Sequence, residues 1–276
     1  MKRLGPIALA LLAACNQPAP EKTGPVTRIE IGKGAVKPKA TASVKPAVSS
    51  ACEAVSFEGV PLTHCVADPA RHRITTALAN EGGPPYRSFA ELGRAVKAKT
   101  IAFAVNGGMF GEDGKPIGYY VEESNRLKQL NRADGGGNFH LKPNGVFFGT
   151  GAKWQVMPSE AFNSKVGDRP AFGTQSGPML VIDGKLHPEF AEEGPSKLIR
   201  NGVGVDAAGR AHFVISEAPV SFGRFARYFR DGLKTPNALY LDGSVSSLWD
   251  PASSRQDARA PLGPLIVVET VAKAVP

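Results

Sequence analysis

Residues 200–217, RNGVGVDAAGRAHFVISE, decide the class of fold. Two apolar runs, GVGVD and RAHFVISE, flank a short segment containing Gly209, and such a pair reads as a β-hairpin. So short a connection joins only antiparallel strands, because parallel neighbours need a crossover of a dozen residues or more. PMLVIDGKL (178–186) reads the same way, turning at Asp183-Gly184. Outward from these hairpins, short apolar runs recur: TIAFAVN (100–106), IGYYVEE (117–123), GVFFGT (145–150), KWQVM (153–157), NALYLDG (237–243) and PLIVVET (264–270). Two helical segments stand out, 88–99 and 222–234. The second carries Phe222, Phe225, Phe229 and Leu233 on one face, and Ser88 and Ser221 are the expected N-caps. Many strands, few helices and no regular βαβ alternation predict a single α+β domain with a mixed or antiparallel sheet core and a few flanking helices.

The chain of 276 residues, 42% hydrophobic, is long enough to bury a substantial core. Its start reads differently. MKRLGPIALALLAAC gives two cations, an apolar run too short to span a bilayer, and small residues ending at Cys15. This is the pattern of an export signal over 1–15, and LAAC resembles the lipobox of bacterial lipoproteins, which implies lipidation of Cys15 and a membrane anchor in the cell envelope. Residues 16–50 are rich in Pro, Ala, Lys, Ser and Thr and nearly free of aromatics, a composition expected to stay unfolded as a tether. At ~3 Å per residue it would reach about 100 Å. The folded domain is then expected over 51–276.

The net charge of +8 is a local property. Lys2, Arg3 and six tether cations account for most of it, leaving 25 cations against 23 anions in the domain. A nucleic-acid partner is therefore not expected, and no recognition motif for one is present. With Cys15 assigned to lipid, Cys52 and Cys65 form an even pair in an exported chain and are expected to make a disulfide.

Three strand ends carry polar residues among glycines: Asn106, Gly107 and Gly108 in AFAVNGGMF; Gln175, Ser176 and Gly177 in TQSGPMLV; and Asp242, Gly243, Ser244 and Ser246 in YLDGSVSS. Glycines let backbone approach a ligand closely, and small hydroxyls and amides add neutral donors, so these clusters suit an anionic group. Asn-Gly and Asp-Gly are also the favoured hairpin turns, as Asn144-Gly145 is read here. Arg200 is the cation whose forked guanidinium matches phosphate oxygens in pairs. The five histidines show no HxxxH or HxH spacing, so no metal site is expected. Neither a nucleophile elbow nor a P-loop or dinucleotide fingerprint is present, and no cofactor is expected.

In this order the motifs AVNGGMF, GNFHLKPNGVFF, QSGPMLVIDGKLHP, RNGVGVDAAGRAHFVISE and ALYLDGSVSSLW resemble the phosphodiester glycosidase domain family, in particular its bacterial single-domain branch. In the uncovering-enzyme branch the last motif is an aspartate followed by three glycines and a serine; here Ser244 and Val245 stand at two glycine positions. The resemblance implies hydrolysis of a sugar-1-phosphodiester at the anomeric carbon, with a phosphorylated glycan as substrate. Such chemistry asks for a carboxylate near the sugar and donors for the phosphate. Asp242 is the expected first carboxylate and Glu217 the expected second, ahead of Glu122 and Glu123. Asn106, Gly107, Gly108, Gln175, Ser176, Arg200, Gly243, Ser244 and Ser246 are the expected phosphate and substrate contacts. The alternative is a non-catalytic envelope lipoprotein that binds phosphoglycans through the same pocket.

Overall fold

Hairpins dominate the architecture because so many apolar runs are separated by only a few turn residues. The computed structural model describes residues 49–96 and 100–271, all within the compact unit Pro46–Pro276. The expected signal, the lipidated Cys15 and nearly all of the tether lie outside the described residues. In chain order the strands begin with β1 (Cys52–Phe57), β2 (Val60–Ala67), β3 (His72–Ala77), β4 (Ile101–Asn106), β5 (Tyr120–Glu122) and β6 (Asn125–Lys128). They continue with β7 (Gly145–Thr150), β8 (Lys153–Pro158), β9 (Phe172–Ser176), β10 (Met179–Ile182), β11 (Lys185–Leu186) and β12 (Asn201–Val205). The last are β13 (Ala211–Ser216), β14 (Asn237–Tyr240), β15 (Leu248–Asp250), β16 (Arg255–Gln256) and β17 (Leu265–Thr270).

These form three sheets, ordered β1-β2-β13-β12-β14-β10-β11, β16-β15-β4-β17-β3 and β6-β5-β9-β7-β8. Every ladder among the described strands is antiparallel, which selects the antiparallel side of the expected α+β class. Both expected hairpins are present, with Val205 opposite Ala211 and Ile182 opposite Lys185. The second turns through Asp183 and Gly184 at φ 46° and 78°, the left-handed pair that an Asp-Gly turn supplies.

Strands β4 and β13 are buried at all six positions, so each is covered on both faces and reads as a continuous apolar run. The three sheets meet at aromatic rings: Phe213 of β13 packs 5.4 Å from Phe103 of β4 and 5.7 Å from Phe147 of β7. Val105 of β4 and Leu239 of β14 belong to the same buried core cluster.

Helix α1 (Phe89–Ala95) starts at Ser88, whose side chain accepts from Glu91 N–H. A short α2 (Ser159–Lys165), which gave no sequence signal, follows β8. Helix α3 (Phe222–Arg227) is capped by Ser221 and continues as a wide turn through Gly232. It lays Phe225 and Phe229 on the outer face of the seven-stranded sheet against Leu180, Val214 and Ala238. Cys52 and Cys65 stand directly opposite in the β1–β2 ladder and are disulfide-bonded.

Candidate active site

Asp242 follows β14 and begins a single 3₁₀ turn, Gly243–Val245. Its Oδ1 accepts from Ser244 N–H at 3.2 Å and from Ser244 Oγ–H at 2.6 Å, whereas Oδ2 takes no hydrogen bond among the described residues. The residue is 8% exposed. Burial raises its pKa above the usual carboxylate value, and the two Ser244 bonds oppose that rise. Ser244 thus caps the carboxylate with both its N–H and its hydroxyl.

Asn106, the last residue of β4, anchors this turn. Its Nδ2 donates to the Asp242 carbonyl at 2.8 Å, while its Oδ1 accepts from Asn201 Nδ2 at 2.8 Å and from Ser247 N–H at 2.9 Å. The single Ser246 Oγ–H has two acceptors within reach, Asn201 Oδ1 at 3.2 Å and the Gly243 carbonyl at 3.0 Å. The Gly107 carbonyl accepts from Asp242 N–H at 3.1 Å. Asn106, Gly107, Asn201, Asp242 and Ser246 are therefore brought together from three distant segments.

The glycines serve packing. Gly107 N–H donates to the Pro264 carbonyl and Gly108 N–H to Thr174 Oγ1, so neither amide is left for a ligand. A Cβ on Gly108 would overlap the Gln175 carbonyl and come within 2.6 Å of Thr174 Oγ1. This close crossing of β9 is what glycine permits here.

Arg200 precedes β12 and is fully buried. Its Nε donates to the Val220 carbonyl at 2.8 Å, Nη2 to Ser196 O and Oγ, and Nη1 to Tyr240 Oη at 3.3 Å. The guanidinium lies 3.5 Å from the centroid of the Phe222 ring. Burial lowers its pKa, an effect that Tyr240 opposes.

Two expected residues point elsewhere. The Gln175 amide accepts from Tyr119 and Asn131 N–H groups and donates to the Asn131 carbonyl and Ser159 Oγ. It clamps the loop at Asn131 onto β9 and has no donor left over for a phosphate. Glu217 pairs with Arg255 at 2.5 Å and accepts from Thr63 Oγ1 at 2.7 Å, and Arg255 binds Asp257 in turn. That ion pair bridges the end of β13 to the β15–β16 hairpin, and among the described residues neither partner hydrogen-bonds Asp242. Ser176 Oγ is buried without a partner among the described residues. Glu122, half-buried beside Tyr120 and the Leu78 N–H, has its pKa pushed up to about 7 by partial burial. Among the described residues, no three His, Cys, Asp or Glu side chains cluster in a way that would hold a metal ion.

A family profile described as phosphodiester glycosidase (NAGPA) matches residues 99–269, the span that carries every strand end just described. The chain belongs to the phosphodiester glycosidase family. It is 36% identical over 169 residues to the uncharacterized protein YigE of Escherichia coli K12, which covers 61% of this chain and 66% of that one, just under two thirds of the relative's length. Its fold is similar to that of the catalytic domain of zebrafish N-acetylglucosamine-1-phosphodiester alpha-N-acetylglucosaminidase, solved auto-inhibited by its pro-peptide. That match has a TM-score of 0.53 at 14% identity and covers 83% of this chain and 85% of that one. A hypothetical protein from Synechocystis aligns with a TM-score of 0.49 at 15% identity, over 80% of this chain and 61% of that one.

Tyr240, not singled out in the sequence, borders the Asp242 turn through its hydroxyl, which a Cβ on Gly243 would overlap. A signal for it existed: residues two apart on a strand share a face, so an extended YLD segment puts Tyr240 on the side of Asp242.

Proposed function

We propose that this protein is a hydrolase that cleaves a sugar-1-phosphodiester between the anomeric carbon and the phosphoryl oxygen. The observation that carries the reading is Asp242: a nearly buried carboxylate at the end of a central strand, held through one oxygen and without a hydrogen bond among the described residues at the other. In the reaction the C1–O bond breaks with its electron pair going to the phosphoryl oxygen, and a bond forms from C1 to water oxygen. Asp242 either takes the proton of that water or first carries the sugar as an ester, both being roles of a carboxylate facing an oxocarbenium-like centre. A phosphomonoester is already a good leaving group, so a second carboxylate acid is not required. This removes the need for Glu217, whose carboxylate is committed to Arg255.

The site of action proposed is the cell envelope, reached through a lipid on Cys15 and a tether over 16–50, on the strength of the LAAC sequence and the composition that follows it. The substrate class proposed is a phosphorylated glycan. Incubation with p-nitrophenyl-phospho-sugars and with matched p-nitrophenyl glycosides tests the reaction. Release of p-nitrophenyl phosphate from the first set, with little turnover of the second, is the expected outcome. Binding without turnover of any phosphodiester would reject a hydrolase.

A further inference from the structure

Tyr240 has a hydroxyl engaged from one side only. Arg200 Nη1 reaches its oxygen at 3.3 Å, and a guanidinium can only donate, so the phenol is the acceptor in that bond. Its own proton must then point elsewhere, and no acceptor for it occurs among the hydrogen bonds of the described residues. The other wall around the hydroxyl is the Asp242 turn: a Cβ built on Gly243 would overlap the Tyr240 hydroxyl. The negative charge of Asp242 bears on the same group. Tyr240 Oη therefore lies between a buried cation and the turn that presents the carboxylate.

Arg200 is unusual in what it lacks. A fully buried guanidinium is costly to desolvate and is ordinarily paired with a carboxylate, yet its bonds go to the Val220 and Ser196 carbonyls and to the Ser196 and Tyr240 hydroxyls, all neutral. Phe222 covers one face of it. Its charge is thus uncompensated by any bonded protein group, and the Tyr240 hydroxyl is the one bonded group that also borders the Asp242 turn.

We propose that Tyr240, backed by Arg200, is the hydrogen-bond donor that binds the phosphoryl group of the substrate beside Asp242. The proposal rests on the phosphodiester reading above and names the group that meets the phosphate. Donation from Arg200 polarises the phenol and makes it a stronger donor, so the buried positive charge acts on the anion through the hydroxyl. No proton is transferred: as the C1–O bond breaks, the electron pair settles on the phosphoryl oxygen and the hydrogen bond to it strengthens while the proton stays on Oη. Burial raises the Tyr240 pKa, in keeping with a donor that stays protonated. Glycine at 243 leaves room for the hydroxyl beside the turn, since a Cβ there would overlap it. Tyr240 touches substrate in this scheme; Arg200 is a positioning residue.

The test compares wild type, Tyr240→Phe and Gly243→Ala, each first checked for folding by circular dichroism and thermal melting. Two readouts are taken: affinity for inorganic phosphate by calorimetry, and turnover of a p-nitrophenyl-phospho-sugar. Tyr240→Phe is expected to weaken phosphate binding about tenfold. Loss of one preorganised donor to the leaving oxygen is expected to lower kcat by about 10²-fold. Gly243→Ala keeps the phenol but puts a methyl where its oxygen lies and so displaces the donor; it is expected to lose phosphate affinity similarly and decides the matter if Tyr240→Phe fails to fold. Unchanged phosphate affinity in a folded Tyr240→Phe protein, or turnover equal to wild type, overturns the proposal. Phosphate binding that depends on Tyr240 in a protein unable to turn over any sugar phosphodiester supports the donor assignment and rejects the hydrolase reading instead.

Discussion

Asn106 and Asp242, 136 residues apart, hold the backbone of one turn from both sides. The Asn106 amide donates to the Asp242 carbonyl at 2.8 Å, and Asp242 N–H donates to the carbonyl of Gly107 at 3.1 Å. The first partner ends β4 in one five-stranded sheet and the second follows β14 in the seven-stranded sheet. The carboxylate is therefore positioned by the docking of two sheets, and its loop has little freedom of its own.

Asn106→Asp tests that arrangement. Aspartate keeps the shape and the acceptor for Ser247 N–H but has no amide to donate to the Asp242 carbonyl, and it adds a charge at a position 1% exposed. A loss of about 2–4 kcal/mol in denaturant unfolding is expected, the scale of leaving buried polar groups unsatisfied. In the fraction that folds, kcat should fall more than KM rises, because the misplaced group is the one proposed to react. Full stability would mean that the hydrogen bond across the sheets is dispensable.

Gln175→Ala separates a clamp from a ligand. The amide serves Tyr119, Asn131 and Ser159, all within the protein. Its loss is expected to lower stability by about 1–3 kcal/mol while leaving the affinity for inorganic phosphate unchanged. Weaker phosphate binding by a folded variant would return Gln175 to the ligand set.

The contrast between these residues explains what the sequence makes legible. Hairpins and caps depend on neighbours in the chain: Asp183-Gly184 turns because those two residues tolerate positive φ, and Ser88 and Ser221 cap because the N–H groups they bind lie three residues on. Asn106 and Asp242 are visible as polar residues closing apolar strands. The direction in which a long side chain finally points is not local. Gln175 turns toward a loop 44 residues away in sequence, and Glu217 toward Arg255, 38 residues further on, so the phosphate and second-carboxylate readings of these two had nothing in the nearby sequence to correct them. Strands β1 to β3 were equally silent, since their Thr, His and charged residues blur the apolar pattern that long-range pairing with β13 and β17 supplies.

Glu122 gives the stability curve a testable slope. Its folded pKa of about 7 lies above the ordinary value of 4.5, chiefly through burial. The native state then holds the proton more tightly than the unfolded chain, so stability falls as pH rises from about 4.5 to about 7 and stays lower above that. The interval corresponds to about 3 kcal/mol in the limit. Glu122→Gln keeps acceptors for Leu78 N–H and Tyr120 Oη–H without the charge. Melting temperature should rise at pH 8 and match wild type near pH 4. An equal shift at both values would point to packing.

Asp242→Asn addresses catalysis and stability together, and the two should move in opposite directions. The amide oxygen can still accept from Ser244 N–H and Oγ–H, so the turn that Asp242 caps survives. It has neither the charge to face an oxocarbenium-like centre nor the basicity to take a proton from water, so turnover of a p-nitrophenyl-phospho-sugar should fall by about 10²-fold or more. Because burial raises the pKa of Asp242, its ionised form opposes folding, by an amount that grows as pH rises through the folded pKa and is then constant. The variant lacks that term and should melt higher than wild type at neutral pH, with the advantage shrinking on acidification. A gain in stability joined to a loss of turnover is the signature of a carboxylate kept for chemistry at the expense of the fold. Near-wild-type turnover in the folded variant would reduce Asp242 to a turn residue, and a lower melting temperature would mean that its charge is stabilised by contacts other than Ser244.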